Sequence, residues 1–309
     1  MKKNIKLGLI LIFMIMVTGC TRVLKDENNK RVVFEPTGQV LSENIVCQPK
    51  NKKVKLLYIE NDVDIQKLPK CETFSLSQEK YEGIWTSFFV KPLVWLILKI
   101  GAYLNNYGVA LIIVSLAIRL ILYPTTKGTA MQSENLKKAK PELDLVEKKY
   151  KNKKDQEAMM QKSQEIMMVY KKYKINPLSG CLFGFIQLPL FLAFLEAINL
   201  TPAIFEGKLL FYQLGTTPLI GLKAGQFQYL LLVGLLILIT YFSFKFNKTA
   251  AINSESEKQM EFISKIMIVF IGFAALNLST AISLYWITSS LFTILQNKMV
   301  QRRKKYENL

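Results

Sequence analysis

The chain has 309 residues, of which 50% are hydrophobic, and 41 basic against 23 acidic side chains leave a formal net charge of +18. Its apolar residues form several nearly uncharged runs of roughly 17 to 25 residues, the length at which a helix crosses a bilayer, so composition argues against a soluble core. The absence of histidine removes the commonest general base and metal ligand, so we expect no enzymatic activity, no metal and no cofactor.

The first twenty residues have the form of a lipoprotein signal peptide. Lysines precede an apolar stretch at residues 7–17, which ends in the sequence VTGC at Cys20. Such a signal, residues 1–19, is cleaved before the cysteine, and Cys20 then becomes the lipidated N-terminus. The alternatives are an uncleaved signal anchor and an ordinary cysteine.

Residues 20–80 are then an extracytoplasmic, lipid-anchored segment of mixed and turn-rich sequence. The alternating piece at residues 54–59 favours a short strand. Outside the cell oxidation is permitted, so Cys47 and Cys71 are a candidate disulfide pair. The simplest interpretation of the segment is a spacer that this disulfide stabilises.

Residues 81–106 are rich in aromatic side chains and are interrupted by Lys91-Pro92 and Lys99. This composition suits the headgroup zone, so we predict an interfacial amphipathic helix on the outer face. The alternative is a sixth membrane span. Residues 107–124 form the first of the five predicted spans.

The stretch at residues 125–178 holds thirteen lysines against seven acidic residues, which places it in the cytoplasm by the positive-inside rule. Apolar residues recur at helical spacing on both sides of a polar turn at 151–155, a pattern that predicts an antiparallel helical hairpin. We interpret its charges as a solvated face. We interpret its methionines as packing in the seam between the helices, and the alternative is that they form a docking surface. The methionines are Met159, Met160, Met167 and Met168.

Four more spans follow, which makes five in all, an odd number that carries the chain from outside to inside. These four spans are predicted at residues 179–200, 226–245, 263–278 and 280–298. An extracytoplasmic loop is predicted at residues 201–225, a short cytoplasmic loop at 246–262 and a basic cytoplasmic tail at 299–309. The predicted fold is thus an all-α polytopic membrane protein of the bacterial cell membrane, with its N-terminus outside.

Arg119 lies inside the first span, in its cytoplasmic half. The alternative interpretation is a side chain on a lipid-facing surface that snorkels to the cytosol. Ser115 lies one turn away on the same face, and arginine in a membrane helix usually faces an interior or a wet cavity. The pattern therefore favours a polar interior.

The fifth span carries a stripe of polar residues at spacings of three and four, among them Ser283, Trp286 and Ser290. Packing of small residues between helices explains the serines but explains the complete stripe less well. In the second span Gln187 shares a face with two glycines. Together with Arg119, these residues predict a hydrophilic groove within the membrane.

The sequence NPLSGCL at residues 176–182, followed by IQLPLF at 186–191, resembles the second-span signature of YidC/Oxa/Alb-type membrane protein insertases. SLYW at residues 283–286, followed by Gln296, resembles the fifth-span signature, and the lipobox is typical of the five-span Gram-positive form. The resemblance begins near Trp85 and reaches the C-terminus. One departure is Phe183-Gly184, where members of the family commonly have a proline.

This resemblance implies an insertase that moves nascent transmembrane segments and their short polar tails into the bilayer, either independently of the Sec translocon or with it. It implies that Arg119, Gln187 and Trp286 line a groove open to the cytosol and to membrane lipids. The implied partners are nascent membrane proteins, the ribosome, the Sec translocon and components of the signal recognition particle pathway. Apart from contact of the basic tail with ribosomal RNA, no specific nucleic acid is expected.

Two other functions compete with insertion. A small-solute transporter usually shows inverted repeats and broken helices, and the spans show no internal similarity. A membrane-anchored assembly scaffold would need a larger exported domain than sixty residues. No GxxxxGK[ST] phosphate loop occurs in the sequence, so nucleotide hydrolysis is not expected to drive any of these activities.

Overall fold

The computed structural model describes residues 21–78, 81–153, 155–176, 179–246 and 254–306. Within these ranges, the structure does not describe the side chains at 78, 129, 179–186, 254–260 and 303–306. The predicted signal peptide and Cys20 lie outside the described residues.

The described residues are mostly helical. Eleven helices are described: α1 Lys52–Glu60, α2 Gly83–Leu104, α3 Tyr107–Ile121, α4 Tyr123–Tyr150, α5 Gln156–Lys172, α6 Ser179–Leu200, α7 Pro202–Phe205, α8 Pro218–Lys223, α9 Gln228–Phe246, α10 Ser254–Asn277 and α11 Thr280–Tyr306. Two antiparallel two-stranded sheets are described: β1 Val33–Phe34 with β2 Gln39–Val40, and β3 Lys208–Leu209 with β4 Tyr212–Gln213. Three 3-10 turns are described: Ile65–Lys67, Cys71–Thr73 and Leu76–Gln78.

The strand predicted at residues 54–59 is wrong, because this piece lies within helix α1. The Asn51 side chain caps the helix by accepting hydrogen bonds from the backbone N–H groups of Lys53 and Val54. Val54 and Tyr58, one turn apart, are fully buried. A helix buries both on one face, and the apparent alternation of the sequence depends on Lys55 alone.

The N-terminal domain, residues 21–78, has its own small hydrophobic core. Leu41, Val54 and Tyr58 are buried together, and Phe205 from α7 completes the cluster. A disulfide joins Cys47 and Cys71, the pair that the sequence marked as candidates. The segment therefore has more organisation than a spacer requires.

Among the described residues, α2 and α9 are each long and apolar enough to cross a membrane. Helices α3 and α4 pass the same test as a pair and are bent by 61° at the break between them, where Pro124 in the first turn of α4 lacks a backbone donor. Residues Gln187–Leu200 form a shorter apolar helix. The chain is therefore an all-α membrane protein, while the count of five spans and the interfacial placement of α2 stay predictions.

Helices α4 and α5 pack against each other as an antiparallel pair. Lys149 contacts Glu165 at 2.5 Å near the turn, and Lys172 contacts Glu142 at 2.5 Å near the open end. These ion pairs hold the pKa of both carboxyl groups below the ordinary value. Between the helices lies an apolar cluster: Ala139, Leu143, Ile166, Val169, Tyr170 and Ile175.

The interpretation of the hairpin methionines as seam residues is wrong. Met159, Met160, Met167 and Met168 are all more than half exposed. Ile166, Val169 and Tyr170 occupy the seam of α5 instead, at spacings of three and four residues that place them on one face. None of the four methionines belongs to the apolar cluster between the two helices.

The chain divides into two compact units. Unit 1 comprises residues 1–117, 188–236 and 274–288, and unit 2 comprises residues 118–187, 237–273 and 289–309. The boundaries cut through α3, α6, α9, α10 and α11, so each of these helices contributes residues to both units.

Candidate intramembrane polar site

Arg119 is the centre of a buried polar cluster in unit 2. Its side chain is only 3% exposed, although it lies on an apolar helix. One guanidinium nitrogen, Nη2, donates hydrogen bonds to Oε1 of Gln187 on α6 and to Oγ of Ser289 on α11. The structure therefore places this arginine against two polar groups of other helices, and the snorkelling interpretation does not describe it.

The contact with Ser289 was missed by the sequence reasoning, which chose Ser290. Ser289 is 2% exposed, whereas Ser290 is only half-buried. The signal was available, because Ser289 and Gln296 lie seven residues apart and so share a face of the helix. Each of them lies about 100° around the helix from its neighbour in the predicted stripe, Ser290 or Asn297, since adjacent residues differ by one such step.

A second polar contact in unit 2 joins α4 to α11. The Gln296 amide nitrogen donates to Oγ1 of Thr126 at 2.9 Å, and both side chains are buried. The Thr126 hydroxyl also lies 3.1 Å from the carbonyl oxygen of Leu122, one turn back on its own chain. Gln296 entered the sequence analysis only as part of the family signature, and the structure gives it a definite partner.

Three of the predicted groove residues lie in unit 1. Ser115 is buried, and its hydroxyl donates to the carbonyl oxygen of Leu111 at 2.6 Å. Ser283 is buried, and its hydroxyl has no hydrogen-bond partner within the described part of the chain. Trp286 is half-buried and meets the ring of Phe191 edge-on at 5.3 Å between centroids.

Glu196 is a buried carboxylate in unit 1. Its carboxylate accepts a hydrogen bond of 2.8 Å from Nε1 of Trp85 and one of 3.4 Å from the hydroxyl of Thr86. These partners satisfy a carboxylate that is only 4% exposed. No local sequence pattern indicates this pairing, because 111 residues separate the two side chains.

The six predicted groove residues thus fall into two groups. Arg119 and Gln187 meet in unit 2, which also holds Ser290. Ser115, Ser283 and Trp286 belong to unit 1. Within the described residues, no cluster of three or more potential ligands is suited to a metal ion. The chemistry that this arrangement offers is therefore hydrogen bonding and one buried positive charge.

Comparison with known proteins decides the family. The model of the 60Kd inner membrane protein family matches residues 99–307, more than half of the chain. The chain belongs to this family. The matched region includes all six predicted groove residues and the hairpin of α4 and α5, and it leaves the N-terminal domain outside.

Several relatives of this chain carry the name "Membrane protein insertase YidC". The one from Oceanobacillus iheyensis is 32% identical over 223 residues, which are 72% of this chain and 85% of the relative. The one from Alkalihalophilus pseudofirmus is 34% identical over 224 residues, or 70% and 81% of the two chains. "Membrane protein insertase YidC 2" of Listeria innocua is 31% identical over 219 residues, or 71% and 72%.

Proposed function

We propose that this protein is a membrane protein insertase, which moves nascent transmembrane segments and their short polar tails into the bilayer through a hydrophilic groove. The observation that carries the proposal is the buried Arg119 with its partners Gln187 and Ser289. A positive charge in an apolar helix costs about 2.5 to 3.5 kcal/mol on insertion scales, so its retention requires a use. We infer that this use is insertion, and membership of the family supports the inference.

The proposed groove is lined by Arg119, Gln187, Ser115, Ser283, Trp286 and Ser290. Support comes from each compact unit separately. In unit 2 the guanidinium is bound to two polar side chains, and in unit 1 the buried hydroxyl of Ser283 has no described acceptor or donor. Polar groups that lack a protein partner are suited to water or to a passing polar segment.

The mechanism is electrostatic. A polar tail that crosses hydrocarbon loses its hydrogen bonds with water, and a wet groove shortens the dry distance. Arg119 attracts acidic tails transiently, and this attraction is stronger than in water because the surroundings are less polar. Burial of the apolar segment in lipid then drives release. In this scheme no residue makes or breaks a covalent bond, so the protein is not an enzyme.

The proposed orientation places the N-terminal domain outside and the hairpin of α4 and α5 in the cytoplasm, with Cys20 lipidated. The Cys47–Cys71 disulfide supports this orientation, because disulfides persist in oxidising compartments. Thirteen lysines between residues 125 and 178 support the cytoplasmic assignment of the hairpin. The proposed cytoplasmic partners are the ribosome and signal recognition particle components, and the Sec translocon is a further partner within the membrane.

Site-specific photocrosslinking tests the proposal. A crosslinking residue replaces Arg119, Gln187 or Trp286, and ribosomes carrying a stalled single-span membrane protein are added. The matched control carries the same residue at Val269, which is exposed on α10. We expect adducts from the three groove positions and few from the control. Equal labelling at all four positions would refute a defined path, and uptake of a labelled solute by proteoliposomes would favour a transporter instead.

A further inference from the structure

The N-terminal domain makes direct contact with the outer loop, which we define as residues 201–225. The Glu206 carboxylate on this loop accepts hydrogen bonds from the backbone N–H groups of Lys50 at 2.8 Å and Asn51 at 3.1 Å. The neighbouring Phe205 side chain is buried in the core cluster of the domain. A loop residue therefore completes the domain's hydrophobic core, which a simple spacer would not need.

Two further contacts extend this interface. The backbone N–H of Val46 donates to the carbonyl oxygen of Leu200 at 3.0 Å, where α6 ends. The backbone N–H of Thr217 donates to the carbonyl oxygen of Thr37 at 2.9 Å. Beside it, Gly38 has a φ of +71°, and a Cβ at this position would lie 2.7 Å from Cγ1 of Ile220. The two surfaces are thus packed closely enough to exclude a methyl group.

The disulfide holds the part of the domain that makes these contacts. Cys47 lies between Val46 and Lys50, in the segment that bonds to α6 and to Glu206. On its other side the segment is bonded to the 66–72 region, where the Gln48 side chain donates to the carbonyl oxygen of Leu68 at 2.7 Å. The disulfide to Cys71 joins the same two pieces covalently.

The outer loop in turn bonds to the first turn of α11. The backbone N–H and the hydroxyl of Thr280 both donate to the carbonyl oxygen of Thr216, at 3.0 and 2.8 Å. The backbone N–H of Ala281 donates to the carbonyl oxygen of Leu214 at 2.9 Å. A continuous chain of hydrogen bonds therefore leads from the N-terminal domain to the start of the helix that carries Ser283 and Trp286.

We propose that the N-terminal domain is a clamp that positions the outer loop and, through it, the first turn of α11, with Glu206 as the positioning residue. The domain lies outside residues 99–307, which match the family. Burial raises the pKa of Glu206, while the hydrogen bonds from the backbone N–H groups of Lys50 and Asn51 oppose this shift. The acceptor oxygens form the contact, and a neutral glutamine keeps one of them.

Hydrogen exchange of the full-length protein in nanodiscs tests the clamp. Glu206→Ala removes both acceptors, Glu206→Gln keeps one, and Glu27→Ala is the matched control, since Glu27 is exposed in the same domain. We expect Glu206→Ala to speed exchange about tenfold at the amides of Thr217, Thr280 and Ala281, since the loss of both acceptors for Lys50 and Asn51 frees the outer loop to open locally. Glu206→Gln should recover most of the protection, and Glu27→Ala should change nothing.

Faster exchange confined to residues 46–54, or none at all, would overturn the clamp. The amides of Leu24 and Val32, which bond within the domain, report whether Glu206→Ala unfolds it. If they lose protection, Gly38→Val replaces this variant, because it pushes on Ile220 from the domain side and removes no acceptor. It should accelerate the same Thr217 and Thr280 amides, and unchanged exchange there would again overturn the proposal.

An insertion assay tests the consequence of the clamp and rests on the proposed function. Glu206→Ala proteoliposomes are expected to insert a single-span substrate several-fold more slowly, with Glu206→Gln close to wild type. The exchange measurement needs no substrate, so it fails only if the clamp is absent. If exchange accelerates while insertion stays at the wild-type rate, the idea that loop position matters for insertion is wrong.

Discussion

Replacing Arg119 by alanine removes the guanidinium that donates hydrogen bonds to Gln187 and Ser289. The replacement also removes the positive charge that Arg119 buries in unit 2. Two unit charges 4 Å apart attract by about 4 kcal/mol at an effective dielectric constant near 20. Partial loss of hydration by the tail offsets part of this attraction. A net difference of about 1.4 kcal/mol corresponds to a tenfold slower insertion of an acidic tail.

The assay uses purified protein in proteoliposomes and two single-span substrates that differ only in the translocated tail. One tail carries aspartate and glutamate, and the other carries asparagine and glutamine at the same positions. We expect Arg119→Ala to slow the acidic substrate about tenfold and the neutral one little. Arg119→Lys keeps the charge and should largely preserve insertion. Arg31→Ala is the matched control, because Arg31 is exposed in the N-terminal domain.

Two results would refute this reasoning. Wild-type rates for Arg119→Ala with the acidic tail would show that the charge does not act on the substrate. Equal slowing of both tails would show that Arg119 matters for the packing of its helices and not for attraction. Loss of protein from the membrane fraction is checked separately by the yield of folded protein after reconstitution.

Three further predictions concern other contacts. Gln296→Leu removes a buried interhelical hydrogen bond and should cost about 1 kcal/mol of unfolding free energy, measured by denaturant titration in micelles against Leu295→Ala at an exposed position. The lowered pKa of Glu165 beside Lys149 means that this pair stabilises the hairpin above the ordinary carboxyl pKa and is lost as pH falls through the lowered value. Hairpin amides should therefore exchange faster below that range in the wild type, and a Glu165→Gln variant should show less of this change. Replacing both Cys47 and Cys71 by serine should destabilise the N-terminal domain by about 3 kcal/mol on the chain-entropy estimate, and an unchanged melting transition would contradict it.

The class and family of this protein could be predicted from the sequence, because long apolar runs and lysine-rich connections are local properties of the chain. The prediction of an insertase family is confirmed by the match over residues 99–307. The all-α membrane architecture is confirmed as well. Arg119 and Gln187 were predicted to share a polar interior, and the structure brings these two side chains into contact.

Only the tertiary structure decided which face of each helix is used. Ser289 and Ser290 are chemically identical and adjacent, and the partner is Ser289 because the rotation of α11 points it at Arg119. The same reason explains the exposed methionines of the hairpin, since composition does not determine helix phase when several faces contain apolar residues. In α1 the burial of Val54 and Tyr58 outweighed an alternating pattern. The contacts of Glu206 and Glu196 join residues more than a hundred positions apart, and no local sequence pattern encodes such a distance.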